Sequence, residues 1–145
     1  MVTVRFYSVR ARVRAGEKML GTKEGVRLLE GNLGRRKCRY DSQLFAYRVE
    51  AGGIQLVLGL PHPERLMKIM HRIRILTTTE YNRTSGVVGV VRWERGFEVE
   101  ELEPEELRQA VRRVGRPRNP LVALDEPPPG GRRGPDRPEQ GKRGP

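Results

Sequence analysis

The chain has 145 residues, nearly a third of them charged, with a formal net charge of +11 and a pI near 10.8. That length supports one modest core, and that charge points to a polyanionic partner such as RNA, DNA or a membrane surface. A membrane span is excluded by the lack of any apolar run near the ~18–20 residues it needs. An internal disulfide or cysteine-built zinc site is excluded because Cys38 is the single cysteine.

The N-terminal residues form a strand pattern without a signal-like apolar stretch, so an intracellular, cytoplasmic protein is expected. Arginine outnumbers lysine, and Gln, Asn and Cys are scarce, a bias that fits a thermophilic source or a GC-rich genome. In residues 2–14, Val2, Val4 and Phe6 alternate with polar residues, then the phase flips to Val9, Ala11 and Val13. A phase change predicts a bulge or bend near Tyr7–Ser8, with Arg10, Arg12 and Arg14 on one face. Thr22 is a helix N-cap with Glu24 in the first turn, and the helix is predicted to end at Gly34. The cluster Arg35-Arg36-Lys37-Cys38-Arg39 follows.

Gln43–Val49 and Ile54–Leu60 read as a hairpin that places Phe45, Tyr47 and Val49 on the face of Ile54, Leu56 and Leu58. Pro61 and Pro63 break the second strand. A helix over 63–74 then buries Leu66, Ile69, Met70 and Ile73 and carries Arg65, Lys68 and Arg72 on its outer stripe. The threonines of Ile75–Thr79 favour a strand. Asn82–Gly86 reads as a turn, Val87–Trp93 as a strand and Phe97–Val99 as its hairpin partner. Pro104 opens a last helix with Leu107, Ala110, Val111 and Val114 inward, stopped by Gly115-Arg116-Pro117.

The element order to Thr79 predicts an α+β fold: a single small domain over residues 1–114. It has an antiparallel sheet in a split βαβ (ferredoxin-like) arrangement, extended by a β-hairpin and a C-terminal helix. Residues 115–145, rich in Pro, Gly and Arg, are expected to form a disordered tail that is dispensable for stability. An RNA-recognition domain of this topology carries aromatics on its third strand. Here that strand reads GIQLVLGL, with none.

Charge is unevenly placed. Residues 1–93 hold 18 Lys/Arg against 7 Asp/Glu, whereas residues 94–106 hold seven glutamates and one arginine. This acidic ribbon suits a solvated edge strand and a helix N-terminus. Its sharper alternatives are a docking patch for a protein partner at Glu98–Glu106 and an intramolecular competitor for the basic face.

No phosphate loop, paired-histidine motif or metal-ligand spacing is present, so no catalytic residue, metal or cofactor is expected. The sequence predicts a non-catalytic nucleic-acid-binding protein, with RNA or single-stranded nucleic acid (ssDNA) favoured over duplex DNA. A ribonucleoprotein or ribosome-associated role fits. The predicted interface is Arg10, Arg12, Arg14, Arg35, Arg36, Lys37 and Arg39, with Tyr40 as a stacking residue. Two alternatives are a small metal-independent ribonuclease using Tyr40, Tyr81, His71 and Arg39, and a protein-interaction subunit docking through the acidic ribbon.

Overall fold

The computed structural model describes residues 3–86, 91–115, 119 and 122–128. Strand β1 (Arg5–Arg12) leads to helix α1 (Lys23–Gly34), the hairpin of β2 (Gln43–Glu50) and β3 (Gly53–Leu60), and the long helix α2 (Leu66–Ser85). Strand β4 (Glu98–Leu102) and helix α3 (Leu107–Val114) follow. The strands lie in the order β2-β3-β1-β4, and all neighbours are antiparallel. This is the expected split βαβ arrangement, used twice: β3 sits between β1 and β2, and β1 between β3 and β4. Helices α1 and α2 cover one face of the sheet, and α3 covers part of the other.

That two-sided cover explains the phase change in β1. The expected bend near Tyr7–Ser8 is absent, and the register with β3 runs unbroken from Arg5 opposite Leu60 to Arg12 opposite Gly53. Phe6 faces α3, packed with Val57, Leu107 and Ala110. Tyr7, Val9 and Ala11 face α1 and α2. The irregularity lies in β2 instead, between Leu44 and Ala46. It keeps Tyr47 and Val49 on the predicted face, opposite Leu56 and Ile54, but turns Phe45 to the α3 face. There Phe45 meets Phe6 edge-on, ring centroids 5.8 Å apart, and lies over Gly59, where an added Cβ would collide with its ring.

Helix α1 starts as predicted: the Thr22 hydroxyl accepts a hydrogen bond from the Gly25 N–H at 3.0 Å. Helix α2 does not stop where predicted. It continues through the threonines to Ser85 and ends at Gly86, whose φ of 71° favours glycine. Each threonine costs a helix roughly half a kcal/mol relative to alanine. The fully buried Ile69, Met70 and Ile73 each contribute about 1.5–3 kcal/mol, so packing outweighs propensity. In addition, Asn32 Nδ2 donates to Thr77 Oγ1 at 3.0 Å, with both side chains buried.

The fourth strand is therefore the acidic segment Glu98–Leu102, not Ile75–Thr79. Of the strand expected at Val87–Trp93, residues 87–90 lie outside the described residues. Trp93 bridges to Val13, and Val99 pairs with Val9 rather than with that segment. Helix α3 buries Leu107, Ala110 and Val114 as expected. The acidic residues before it form a reciprocal cap, in which the Glu103 N–H donates to Glu106 Oε1 at 2.7 Å.

Most of the expected tail lies outside the described residues, but its described part is anchored. Val122 is buried in the core shared with α1 and α2. Asp125 meets the edge of β2 twice: its N–H donates to the Leu44 carbonyl at 2.8 Å, and its Oδ2 accepts the Leu44 N–H at 2.9 Å. Among the described residues this segment thus belongs to the folded body, and dispensability of everything after Gly115 no longer follows. A chain ending at Gly115 should melt several degrees below the full chain, and Asp125→Ala should cost about 1–2 kcal/mol. Unchanged thermal melts for both would show that the docking adds no stability.

The Tyr47 hydroxyl donates to Glu30 Oε2 at 2.7 Å. Burial, with that bond added, pushes its pKa well above the ordinary tyrosine value. The folded state keeps this proton after the unfolded chain has lost it. The stabilisation is therefore complete below about pH 10, the ordinary tyrosine value, and is lost as pH rises from there through the folded value. Thermal melts across alkaline pH should fall in that window, with a shallower slope in Tyr47→Phe.

Candidate nucleic-acid interface

Between α1 and β2 the cationic cluster forms a 3-10 turn over Arg36–Arg39. One side of the turn is anchored in the protein and the other is free. Cys38 and Arg39 are buried, whereas Arg35, Arg36 and Lys37 are exposed. Arg39 is a structural cation. Its Nε donates to the Leu33 carbonyl at 2.6 Å and its Nη1 to the Ser42 carbonyl, tying the end of α1 to the start of β2. Burial lowers its pKa from the ordinary arginine value, with Asp125 acting against that shift. Arg39 therefore has no free face to offer a ligand.

The chain leaves this turn through two residues with left-handed backbone, Tyr40 (φ 52°) and Asp41 (φ 59°). That conformation is strained for tyrosine. It is held by the Asp41 N–H donating to the Arg36 carbonyl at 2.9 Å. The Tyr40 ring lies beneath Arg72 of α2, whose guanidinium carbon is 5.5 Å from the ring centroid. The turn is thus joined to the outer stripe of α2, where Lys68 and Arg72 are exposed, as is Arg65 just before the helix. Arg36 pairs with Asp41 at 3.8 Å. Arg35, Lys37, Arg65 and Lys68 form no ion pair among the described residues.

The rest of the predicted interface lies elsewhere. Arg10 and Arg12 point to the sheet face that carries α3, opposite the helix layer of the 36–39 turn. They are also occupied: Arg10 donates to Gln55 Oε1 at 3.2 Å, and Arg12 Nε to Glu98 Oε2 at 3.1 Å. Arg5 pairs with Glu101 at 3.9 Å. The acidic strand thus pairs with Arg5 and Arg12 of β1, while Arg10 is held by the neutral Gln55. Arg14 is exposed beyond the end of β1, with its N–H bonded to the Arg92 carbonyl. The predicted interface is therefore divided between two surfaces, and only its 35–40 part adjoins the α2 cations.

The ribonuclease group does not assemble. Arg39 is consumed by backbone carbonyls, Tyr81 packs against the core, and His71 lines a pocket beside Trp93 while Tyr40 lies under Arg72. No three His, Cys, Asp or Glu side chains converge to hold a metal ion among the described residues. No described helix is long and apolar enough to cross a membrane.

No known protein family and no curated protein matches the chain in sequence. Among solved structures it is similar to a REP-associated tyrosine transposase bound to a REP hairpin, with a TM-score of 0.57 and 14% identity. The match covers 76% of this chain and 64% of the transposase, so the chain spans less than two thirds of that protein's length. At this identity the likeness is one of fold. It nevertheless corrects the expectation of a non-catalytic protein. In the neighbour this architecture belongs to an enzyme, and the absence of a recognised catalytic motif in the sequence does not separate the two.

Arg39 and its exposed neighbours should separate in a stability test. Arg39→Ala should cost about 2–4 kcal/mol, because it frees two buried carbonyls. Arg35→Glu and Lys37→Glu should leave the melting temperature nearly unchanged. Equal losses at all three positions would show that the turn is not anchored on one side only.

Proposed function

We propose that this protein binds nucleic acid through the surface formed by Arg35, Arg36, Lys37 and Tyr40 together with Arg65 just before α2 and Lys68 and Arg72 within it, and that its ligand is a hairpin with unpaired nucleotides. The observation that carries this reading is the contact of Arg72 with Tyr40, which merges two cationic segments well separated in sequence into one patch. Most of these cations have no internal carboxylate partner among the described residues, unlike Arg5 and Arg12 of β1. Unpaired cations gain most from phosphate, since counterion release is not offset by breaking an internal pair. Tyr40 beside them supplies an aromatic surface suited to an unstacked base.

The similar transposase is bound to a hairpin, which supports a folded nucleic acid with a single-stranded part over an uninterrupted duplex. RNA and DNA hairpins of one sequence, compared directly, decide the sugar preference. Phosphate contacts dominate the proposed patch and are common to both sugars, so affinities within a few-fold are expected.

With about five phosphates neutralised, log K should fall against log salt with a slope of roughly −3.5 to −4.5. The combined replacement Arg36→Glu, Lys68→Glu and Arg72→Glu should weaken binding by about tenfold or more and flatten that slope. Arg10→Gln with Arg12→Gln should change it far less. A slope near zero removes the reading. Loss in the β1 variant with retention in the α2 variant moves the interface to the other face of the sheet.

A further inference from the structure

Beside the cationic stripe, α2 borders a second feature. A shallow pocket of about 220 Å³ opens between the helix and the 91–93 segment. Its inner wall is Trp93, Arg74 and Thr78, and its rim is His71, Ile75 and Thr79. The wall is held firmly. The Trp93 indole N–H donates to Thr78 Oγ1 at 3.1 Å, and the Arg74 guanidinium is held between the rings of Trp93 and Phe97, 5.5 and 4.8 Å from their centroids. Arg74 Nε is buried behind this wall without a hydrogen-bond acceptor, sealed from the pocket itself. Thr78, having accepted from Trp93, still has its own proton to donate.

The rim abuts the proposed interface. His71 lies three residues after Lys68, and Ile75 three after Arg72, so these two rim residues each neighbour a cation on the helix surface. A strand whose phosphates rest on Lys68 and Arg72 therefore passes the mouth of this pocket. The pocket joins an aromatic wall, an apolar rim residue that is half exposed, and the Thr78 hydroxyl, a donor without an acceptor among the described residues. These features suit a flat, acceptor-rich heterocycle better than an aliphatic side chain.

We infer that this pocket receives one unpaired nucleobase of the strand held by the α2 cations, packed against Trp93 with its acceptor edge toward the Thr78 hydroxyl. The inference rests on the proposed function of the neighbouring surface and adds to it a specific subsite for an extruded base.

Trp93 is the single tryptophan, so the intrinsic emission of the full chain reports from the pocket wall. The probes are a labelled hairpin with a single-stranded extension, the same hairpin with an abasic extension, and inorganic polyphosphate. Binding is followed by anisotropy for the labelled hairpins and by their displacement for polyphosphate. The base-bearing extension should quench Trp93 strongly, whereas the abasic hairpin and polyphosphate should bind with little quenching. His71→Ala with Ile75→Ala should weaken binding of the base-bearing form by about five- to tenfold and leave the abasic form unaffected. Both positions are exposed, and Ile75→Ala alone serves if the pair lowers the melting temperature. Binding of the base-bearing hairpin with Trp93 emission unchanged would overturn the pocket while leaving the interface standing. Equal quenching by polyphosphate would overturn it too, because no base is then involved. No binding of any probe would remove the interface reading and the pocket with it.

Discussion

The hydrogen bond from Asn32 to Thr77 is the constraint on which the helix layer depends. It lies fully inside the protein, joins the last turns of α1 to the middle of α2, and has a second branch to Glu80 at 3.1 Å. Breaking one partner of such a pair leaves a buried polar group unsatisfied, which costs more than the bond itself contributes. Sliding α2 by one turn along α1 would break it. The register it fixes sets Arg72 over Tyr40 at one end of the layer. It also keeps α2 helical far enough to carry Arg74 to Trp93. Both features of the proposed interface thus descend from one buried amide.

Two kinds of cation emerge from the same arginine-rich composition. Arg5 and Arg12 of β1 pair with glutamates of the neighbouring strand, and Arg10 is held by Gln55. Arg48 is spent in a different way: it donates to the carbonyls of Arg113 and Val114 and so closes the C-terminal end of α3. The cations of the 3-10 turn and of α2 have few such partners. The effective charge of the molecule is therefore more one-sided than its formal net charge suggests. That asymmetry, not the total, is what steers an anionic ligand to one face.

Much of the architecture was legible in the sequence because local signals and burial agree there. Thr22 caps α1, alternating residues set the β2–β3 register, and Pro104 with its glutamates opens α3. The failures occur where tertiary contacts override local pattern. The threonines of α2 prefer strands, and only a partner on α1 reveals them as helical. The phase change in β1 resembles a bulge, but the strand is straight and covered on both faces, a difference visible only once α3 is placed. Arg39 cannot be told from its neighbours by composition. Its burial follows from the turn geometry that sends two consecutive residues inward. The α2 stripe was visible as a stripe, but its meeting with the 36–39 turn depends on helix register, which no single-element pattern encodes.

The docking of Asp125 on the edge of β2 has a consequence for how the chain reaches this state. Leu44 and Asp125 are 81 residues apart. During synthesis β2 can pair with β3 almost at once, but its outer edge stays open until Asp125 arrives. At about 5–20 residues per second that interval is roughly 4–16 s. Throughout it the nascent sheet presents the unpaired N–H and C=O of Leu44 to any other strand nearby, including one from a neighbouring ribosome on the same message. The late segment closes a window of vulnerability that the early hairpin opens.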